Sequence, residues 1–317
     1  MIGFRTPRQA AVLAEQASGD VVVVQRGSAS LTLRRLAQDP TSIVAAGFII
    51  ALVMFAIFAP IVAQLTGHLP NQQFRTLGLS PAGIPVAPSA DFVFGTDHLG
   101  RDVMVRLAYG ARVSLLVGVL ASLLAAAIGI IIGTIAGYFG GRTDTILSRI
   151  MDLAMSVPFL LCAISLVSVL GPSLQLSTGV IVFFTWTPIG RVIRGQVLAL
   201  RQREFVEAAR SLGSSHASIM LRDILPNLMV PIIIYTTLMI PAAIVFEATL
   251  SFLGMGIVPP DASWGGMLSE AAGNSIYLAA PWLVLIPGVA LLLTTLAFNL
   301  LGDGLRDALD PQAARKA

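Results

Sequence analysis

Few side chains in this chain have types and spacings that could support metal or phosphate chemistry. His68, His98 and His216 are far apart, and Cys162 is the single cysteine. Metal sites are usually indicated by closely spaced ligand pairs, and the chain has none. A phosphate-binding loop needs a lysine inside a glycine-rich turn, whereas the one lysine here is Lys316, at the C-terminal end. The sequence therefore predicts no metal site, no cofactor and no ATP site in this chain.

Two carboxylates inside apolar runs are the other candidates for chemistry. Asp152 and Glu247 both lie in segments rich in aliphatic residues. Ionisable groups at membrane depth are costly and are often functional. Arg149 is a nearby partner for Asp152, which favours a structural ion pair there. Glu247 is expected to face the protein interior or a water-filled path, as a gate or pathway residue or as a packing residue bonded to a neighbouring helix.

The composition indicates which elements must position these groups. The chain has 317 residues, of which 56% are hydrophobic and 12% are charged, whereas an ordinary soluble domain is about one quarter charged. A helix needs about 20 apolar residues to cross a bilayer. We therefore predict an all-α integral membrane protein with six transmembrane helices, at residues 42–65, 112–138, 146–170, 176–198, 227–253 and 278–301.

The segments outside these helices are tails and loops. An N-terminal tail (1–41) and a C-terminal tail (303–317) flank a transmembrane domain of residues 42–302. The proline-rich loop at 67–108 is expected to end in a turn and an amphipathic helix capped by Thr96 or Asp97. Residues 140–144 are expected to form a short turn.

Glycines recur along one face of the second predicted helix. Gly129, Gly133, Gly137 and Gly141 are four residues apart and therefore share a face. Stacked small residues allow another helix to approach closely in lipid. We predict a helix-packing face at Gly129, Gly133 and Gly137, with a groove for ligand approach as the alternative.

The distribution of cations predicts the orientation. Lysine and arginine concentrate on the cytoplasmic side of membrane proteins. If both tails, the turn near residue 142 and the loop at 199–226 share one side, that side holds most of the cations, including Arg5, Arg8, Arg26, Arg34, Arg35, Arg142, Arg201, Arg203, Arg210, Arg222, Arg306, Arg315 and Lys316. The other side has Arg75, Arg101 and Arg106, with Arg112 at the border. Both termini and the 199–226 loop are therefore expected in the cytoplasm.

A regular pattern distinguishes residues 201–226 from a simple connecting loop. The segment reads RQREFVEAARSLGSSHASIMLRDILP, and a helical pattern runs from Glu204 to Leu212. The pattern breaks at Gly213, which permits a bend, and restarts after Ser215. We predict a short helix, a glycine bend and a second short helix between two membrane spans. The spacing alone fits either a surface for a partner protein or an amphipathic helix that lies on the membrane surface.

This segment resembles the EAA loop of ABC-importer permeases. The resemblance rests on Glu207, Ala208, Ala209, Gly213, Leu225 and Pro226. The usual pattern has isoleucine two residues before the leucine, and Asp223 stands there instead. Its RDILPN form is similar to that of the peptide and nickel branch of the family. Further similarities lie at FGTDHLGRD (94–102), GYFGGRTD (137–144), EATLSFLGMGIVPPDASWGGML (247–268) and GDGLRDALDP (302–311).

The resemblance, which covers about residues 90–311, implies a fold and a role for each matching residue. The resemblance is to the second, C-type permease of dipeptide, oligopeptide and nickel uptake systems, and these permeases have the type I importer fold. There the EAA loop is the coupling helix, seated in a groove of the ATP-binding subunit. Ala208 and Ala209 would leave room for close approach, Gly213 would allow the bend, and Glu207 would bond a basic group on the partner. Glu247 lies in a shared motif, which favours gating or packing over choice of substrate.

The resemblance also implies partners, location and cargo. The expected partners are a homologous second permease, two ATP-binding subunits that hold ATP and Mg, an extracytoplasmic substrate-binding protein and the lipid bilayer, with no nucleic acid. The expected location is the bacterial cell inner membrane. The expected cargo is di- or oligopeptides, with a nickel chelate as the alternative. ATP hydrolysis is expected on a separate subunit, so this chain is not expected to be an enzyme.

Two questions stay open at the level of sequence. The segments at 96–106 and 254–264 are expected outside, where Trp264 and the Pro259-Pro260 turn would either dock a binding protein or close the loop over helix ends. The alternative from another class is an ion-coupled secondary transporter with Asp152 and Glu247 as ion sites. Such proteins often have paired repeats with broken helices, and no such repeat is seen.

Overall fold

The computed structural model describes residues 36–309. Predictions for residues 1–35 and 310–317, most of the two tails, lie outside the described residues. The helices in chain order are α1 (Pro40–Ile57), α2 (Ala59–Thr66), α3 (Val103–Phe139), α4 (Gly141–Ser156), α5 (Phe159–Leu170), α6 (Leu174–Leu200), α7 (Glu204–Ser211), α8 (His216–Ser218), α9 (Met229–Phe252), α10 (Trp264–Ala272) and α11 (Trp282–Leu309). No strand occurs between residues 36 and 309, which confirms the all-α prediction.

Five helical stretches are long and apolar enough to cross a membrane. Four are α1, α3, α6 and α11, and the fifth is the continuous stretch His216–Phe252, which ends with α9. The pair α4 and α5 passes the same test only together, and it is bent by 79°. Counting that pair as one broken span gives six spans, the predicted number.

The packing of α3 against α6 supports a crossing by α4 and α5. A Cβ at Gly129 would lie 2.5 Å from Cγ2 of Ile189, and a Cβ at Gly137 would lie 2.7 Å from Cβ of Val197. Contacts therefore advance in the same direction along both helices, which run parallel. If two successive spans cross the membrane in the same direction, the chain must cross back once between them. Only α4 and α5 lie between α3 and α6.

The two ends of the described chain meet on one side of the bundle. A Cβ at Gly304 in α11 would lie 1.7 Å from Oγ of Ser42 at the start of α1. Asp39 caps α1 by accepting hydrogen bonds from Ser42 N (3.0 Å) and Thr41 N (3.2 Å). Hydrogen bonds from the side chains of Ser42 and Thr41 lower the pKa of Asp39 to about 2. The beginning of the first span and the end of the last span are thus fixed against each other.

The cap of α3 differs from the prediction. Asp102 is the N-cap and accepts hydrogen bonds from Met104 N at 2.8 Å and Val105 N at 3.3 Å. Thr96 and Asp97 were the predicted caps, and this prediction is wrong. The reason is that Oδ1 of Asp97 accepts from Arg101 N at 2.9 Å inside the preceding turn. As a result the amphipathic segment and the second span form one helix of 37 residues.

The predicted turn at residues 140–144 is also wrong. Only Gly140 interrupts the helices, with φ at 65° and ψ at −160°, and Gly141 already begins α4. The break in the third predicted span comes later, at Val157 and Pro158, between α4 and α5. Proline disfavours a helical conformation at the residue before it, which explains the bend at this position.

The first and last spans have different limits from those predicted. The first breaks near Phe58, and Pro60 stands in the first turn of the short helix α2, where its missing N–H is tolerated. The last helix, α11, continues to Leu309, so the part of the predicted C-terminal tail that is described extends this helix.

Candidate functional site

The segment 201–226 has a helix, a glycine bend and a second helical piece in the structure. The first helix, α7, ends at Ser211, and Gly213 follows with φ at 80°. Gly213 N donates to Arg210 O at 2.9 Å, and Ser214 N donates to Ala209 O at 3.0 Å. These two bonds with a left-handed residue form a Schellman motif, which favours glycine at this position.

The second limb of this segment is less regular than the first. Ser215 caps α8 by accepting from Ser218 N at 3.3 Å. A π-helical segment (Ile219–Ile224) and a 3-10 turn (Leu225–Leu228) then lead into α9. Leu225 is half-buried and Pro226 is exposed. The whole limb is therefore a helical extension of the fifth span.

The inner face of the segment is anchored in the bundle. Val206 of α7 and Ile219 and Ile224 of the second limb are completely buried. They belong to a cluster that includes Ile193 and Val197 of α6. Burying an aliphatic side chain contributes about 1.5–3 kcal/mol relative to exposure. The segment is thus a packed part of the domain.

The outer face of α7 is exposed. Glu207 and Ala208 are exposed, and Ala209 is half-buried. Phe205 is 42% exposed and Leu212 is 87% exposed. Exposed apolar side chains surrounded by polar groups are typical of protein–protein contacts. Three of the predicted coupling residues, Glu207, Ala208 and Ala209, therefore stand on a surface that a partner can reach. We call this surface, which also includes Phe205 and Leu212, the α7 face.

The glycines of α3 lie against the backbone of α6. A Cβ at Gly133 would lie 2.5 Å from the carbonyl oxygen of Gly190, and Gly129 and Gly137 are similarly close to α6. These approaches are possible only because glycine has no side chain. Gly141, the fourth glycine in the spacing, has open space around its Cβ position. The contact surface therefore ends at Gly137, near the C-terminal end of α3.

Glu247 of α9 is fully buried and faces α3. Its Oε2 accepts from Ser114 Oγ at 2.8 Å, and its Oε1 accepts from Ser251 Oγ at 2.7 Å. Ser114 Oγ also lies 3.5 Å from Trp264 N and accepts from it. In this conformation Glu247 ties two spans to the start of α10.

Replacing Glu247 with lysine is expected to reduce transport strongly, because a buried ammonium would face groups arranged around a carboxylate. Glu247→Gln keeps the size and one carbonyl acceptor, and its loss should be smaller. Uptake rates for several substrates in reconstituted vesicles would measure both variants. A uniform decrease supports gating or packing, whereas a changed order of substrate preference would contradict it.

Trp264 lies inside the protein. Its side chain is completely buried, and its indole N–H donates to Leu107 O at 3.1 Å. The prediction that Trp264 forms a docking surface is therefore wrong. Its ring instead packs over the N-terminal end of α3 and closes the loop there. Pro259 and Pro260 of the same loop are exposed.

Asp152 has a partner that the sequence did not indicate. Its Oδ1 accepts a hydrogen bond from Arg191 Nη2 of α6, and its Oδ2 lies 3.8 Å from Arg149 Nη1. Arg194 similarly binds Asp144. Two ion pairs thus hold α4 to α6.

A buried ionic cluster lies at the N-terminal end of α3, and no sequence pattern predicts it. Arg101 binds Asp97 (Nε to Oδ2, 2.6 Å) and Glu270 (Nη2 to Oε2, 2.7 Å). Arg106 Nη2 lies 3.1 Å from Glu270 Oε1. Asp97, His98 and Glu270 place metal-ligand atoms within 4.8 Å of one another, but both carboxylates already bind arginines. The cluster therefore joins the first loop to α10.

Comparison with known sequences matches two stretches of this chain to described families. Residues 129–315 match the family described as binding-protein-dependent transport system inner membrane component, and residues 29–81 match the N-terminal TM domain of oligopeptide transport permease C. The chain is 40% identical over 279 residues to the dipeptide transport system permease protein DppC of Alkalihalophilus pseudofirmus, covering 88% of each protein. It is 39% identical over 279 residues to the oligopeptide transport system permease protein OppC of Escherichia coli (strain K12), covering 88% of this chain and 89% of that protein.

Further similarity extends over nearly the whole chain and to a solved structure. The dipeptide transport system permease protein DppC of Bacillus subtilis (strain 168) is 39% identical over 314 residues, covering 98% of this chain and 95% of that protein. A chain of the MetNI methionine ABC transporter, in an inward-facing conformation, has a TM-score of 0.52 at 16% identity, covering 65% of this chain and 97% of that chain. This likeness concerns the fold and confirms the predicted type I importer permease class. The chain is a multi-pass membrane protein and belongs to the family of inner membrane components of binding-protein-dependent transport systems.

Proposed function

We propose that this chain is the permease subunit of an ATP-driven peptide importer and forms half of its translocation pathway. The observation that carries the proposal is the 201–226 segment, which is anchored inside by Val206, Ile219 and Ile224 and is open outside at the α7 face. A segment that is packed against the bundle on one side and exposes apolar side chains on the other is suited to transmit the movement of a partner protein. Dipeptide and oligopeptide permeases among the relatives support peptides as the cargo, with a nickel chelate as the alternative.

The proposed partner at the α7 face is an ATP-binding subunit, because the family's members act with such ATPases. Glu207 would offer a charge-assisted bond and Ala208 would allow close approach. ATP and Mg would be held by two such subunits, and hydrolysis would occur there. A homologous second permease would complete the pathway, and an extracytoplasmic binding protein would deliver the peptide.

The proposed orientation has the α7 face in the cytoplasm of a bacterial cell, at the inner membrane. The excess of arginine on the side of the tails and of the 201–226 segment supports it. The contact between Ser42 and Gly304 supports a common side for both termini. The ionic cluster of Arg101, Arg106 and Glu270 would then lie at the outer surface.

The proposal is tested by determining whether ATP or an ion gradient drives peptide uptake. The complete transporter, reconstituted in vesicles with its binding protein, should take up labelled alanine di- to pentapeptides only when ATP is supplied to the ATPase side. Collapse of ion gradients by an ionophore should leave this uptake unchanged. Uptake without ATP that disappears with the ionophore would instead establish the ion-coupled secondary transporter.

The side chains give the ion-coupled alternative little support. Asp152 is bound to Arg191, and Glu247 accepts bonds from two serine hydroxyls. An ion site needs a carboxylate that can exchange its partner for a cation during transport. Glu247 is completely buried, and each of its carboxylate oxygens accepts one of these serine bonds.

A further inference from the structure

Tyr138 connects both limbs of the 201–226 segment to the end of α3. Its side chain is only 3% exposed, although it is the penultimate residue of the helix. Its hydroxyl oxygen lies 2.9 Å from Nδ1 of His216 in α8. The guanidinium carbon of Arg210 in α7 lies 5.3 Å from the centroid of the Tyr138 ring, within the range of a cation–π contact. One aromatic side chain thus holds both helices of the segment.

A third contact is made through the backbone of the same residue. Arg201 Nη1 donates to the carbonyl oxygen of Tyr138 at 3.3 Å. A Cβ at Gly140 would lie 2.3 Å from this Nη1, so glycine leaves the space that Arg201 occupies. A cation at a helix C-terminus is also favoured by the helix dipole. The beginning of the segment is therefore attached to the same point.

The helix that carries Tyr138 can transmit a displacement over a long distance. α3 has 37 residues without an internal proline, which corresponds to about 55 Å at the α-helical rise. At its far end, Arg106 binds Glu270 of α10. A movement of the 201–226 segment that shifts Tyr138 would therefore shift both ends of α3.

We infer that Tyr138 is the positioning residue through which the coupling segment moves α3; this inference rests on the proposed function. The apolar contacts of Val206 and Ile219 anchor the segment, but apolar burial is not directional. The bonds of Tyr138 to His216, Arg210 and Arg201 fix the direction in which the segment and the helix move together. Loss of the Tyr138 hydroxyl should therefore weaken the transmission of movement while the segment stays in place.

The test is the number of peptides carried per ATP hydrolysed by the complete transporter in vesicles. Tyr138→Phe removes only the hydroxyl, and a neutral hydrogen bond changes the equilibrium between coupled and uncoupled arrangements by about five-fold. The ratio for alanine di- to pentapeptides should therefore fall by up to this factor. ATP hydrolysis and subunit assembly should persist. Tyr235→Phe is the control, since the exposed Tyr235 has no hydrogen bond from its hydroxyl within residues 36–309, and its ratio should equal that of the wild type.

A double variant separates this role from general destabilisation. In a His216→Ala background, Tyr138→Phe should cause little further loss, because the two groups act through one contact. Independent, multiplicative losses, or a wild-type ratio in Tyr138→Phe, would overturn the inference. If Tyr138→Phe does not assemble, Arg210→Gln decides: a lowered ratio supports the inference, and an unchanged ratio overturns it. A wild-type complex with no ATP-driven uptake would instead refute the proposed function.

Discussion

Gly213→Pro is expected to abolish ATP-driven uptake while the chain still inserts into the membrane. Proline fixes φ near −65°, whereas Gly213 has φ at 80° and donates its N–H to Arg210 O. The substitution would remove the Schellman motif and reorient α7 relative to α8. The spans on either side keep their own packing, so insertion and assembly of the membrane domain should survive.

A graded control accompanies this variant. A Cβ at Gly213 would meet no atom within 4 Å, so Gly213→Ala introduces backbone strain of about 1–2 kcal/mol without a clash. Its uptake should lie between that of the wild type and Gly213→Pro. Uptake, ATP hydrolysis and the amount of chain in the membrane fraction would be measured for all three. Normal uptake in Gly213→Pro would remove the coupling role from this segment.

Glu207→Arg tests the same role without changing the backbone. Glu207 is exposed on the α7 face, so the folded chain should tolerate the new charge. A basic group on the ATP-binding subunit would then be repelled, and uptake should be lost. Restoration of uptake by an opposite charge change on the partner would locate the contact, whereas full activity of Glu207→Arg would contradict its assigned role.

The second large effect is expected from the contact between α3 and α6. Gly133→Ala would place a Cβ 2.5 Å from the carbonyl oxygen of Gly190, which is backbone and cannot move aside. Overpacking of this kind costs about 1–3 kcal/mol, and Gly133→Leu should exceed that cost. We expect a lower thermal midpoint for the alanine variant in detergent and little folded protein for the leucine variant.

The matched control lies on the opposite helix of the same pair. Gly195 of α6 has no atom within 4 Å of its Cβ position. Gly195→Ala should therefore be neutral or slightly stabilising, because alanine favours the helix by about 1 kcal/mol. Equal thermal midpoints for Gly133→Ala and Gly195→Ala would show that the close approach does not limit stability.

The helix content and the 201–226 segment follow from local sequence patterns. Apolar runs of sufficient length indicate the spans, and the break at Gly213 indicates the bend. The cap of α3 was misplaced because several capping residues, Thr96, Asp97 and Asp102, stand close together. The hydrogen bonds that select Asp102 depend on the folded turn.

Contacts between distant parts of the chain could not be predicted from these patterns. Arg101 and Glu270 are 169 residues apart, and nothing local indicates that they meet. The burial of Trp264 depends on the position of Leu107 in another helix. A Gly/Pro-rich loop with one tryptophan is compatible with either an exposed or a buried ring, so only the packing decides.

The proposed contact between the α7 face and the ATP-binding subunit can be tested by site-specific cross-linking. Cys162 is the single cysteine and can be replaced by alanine. In that background, Leu212→Cys would be compared with Val169→Cys, which lies at the far end of α5; the two native side chains are 87% and 83% exposed. This contact predicts cross-linking of the ATP-binding subunit from position 212 and none from position 169. An intact, purified complex that gives no such cross-link from position 212 would contradict it.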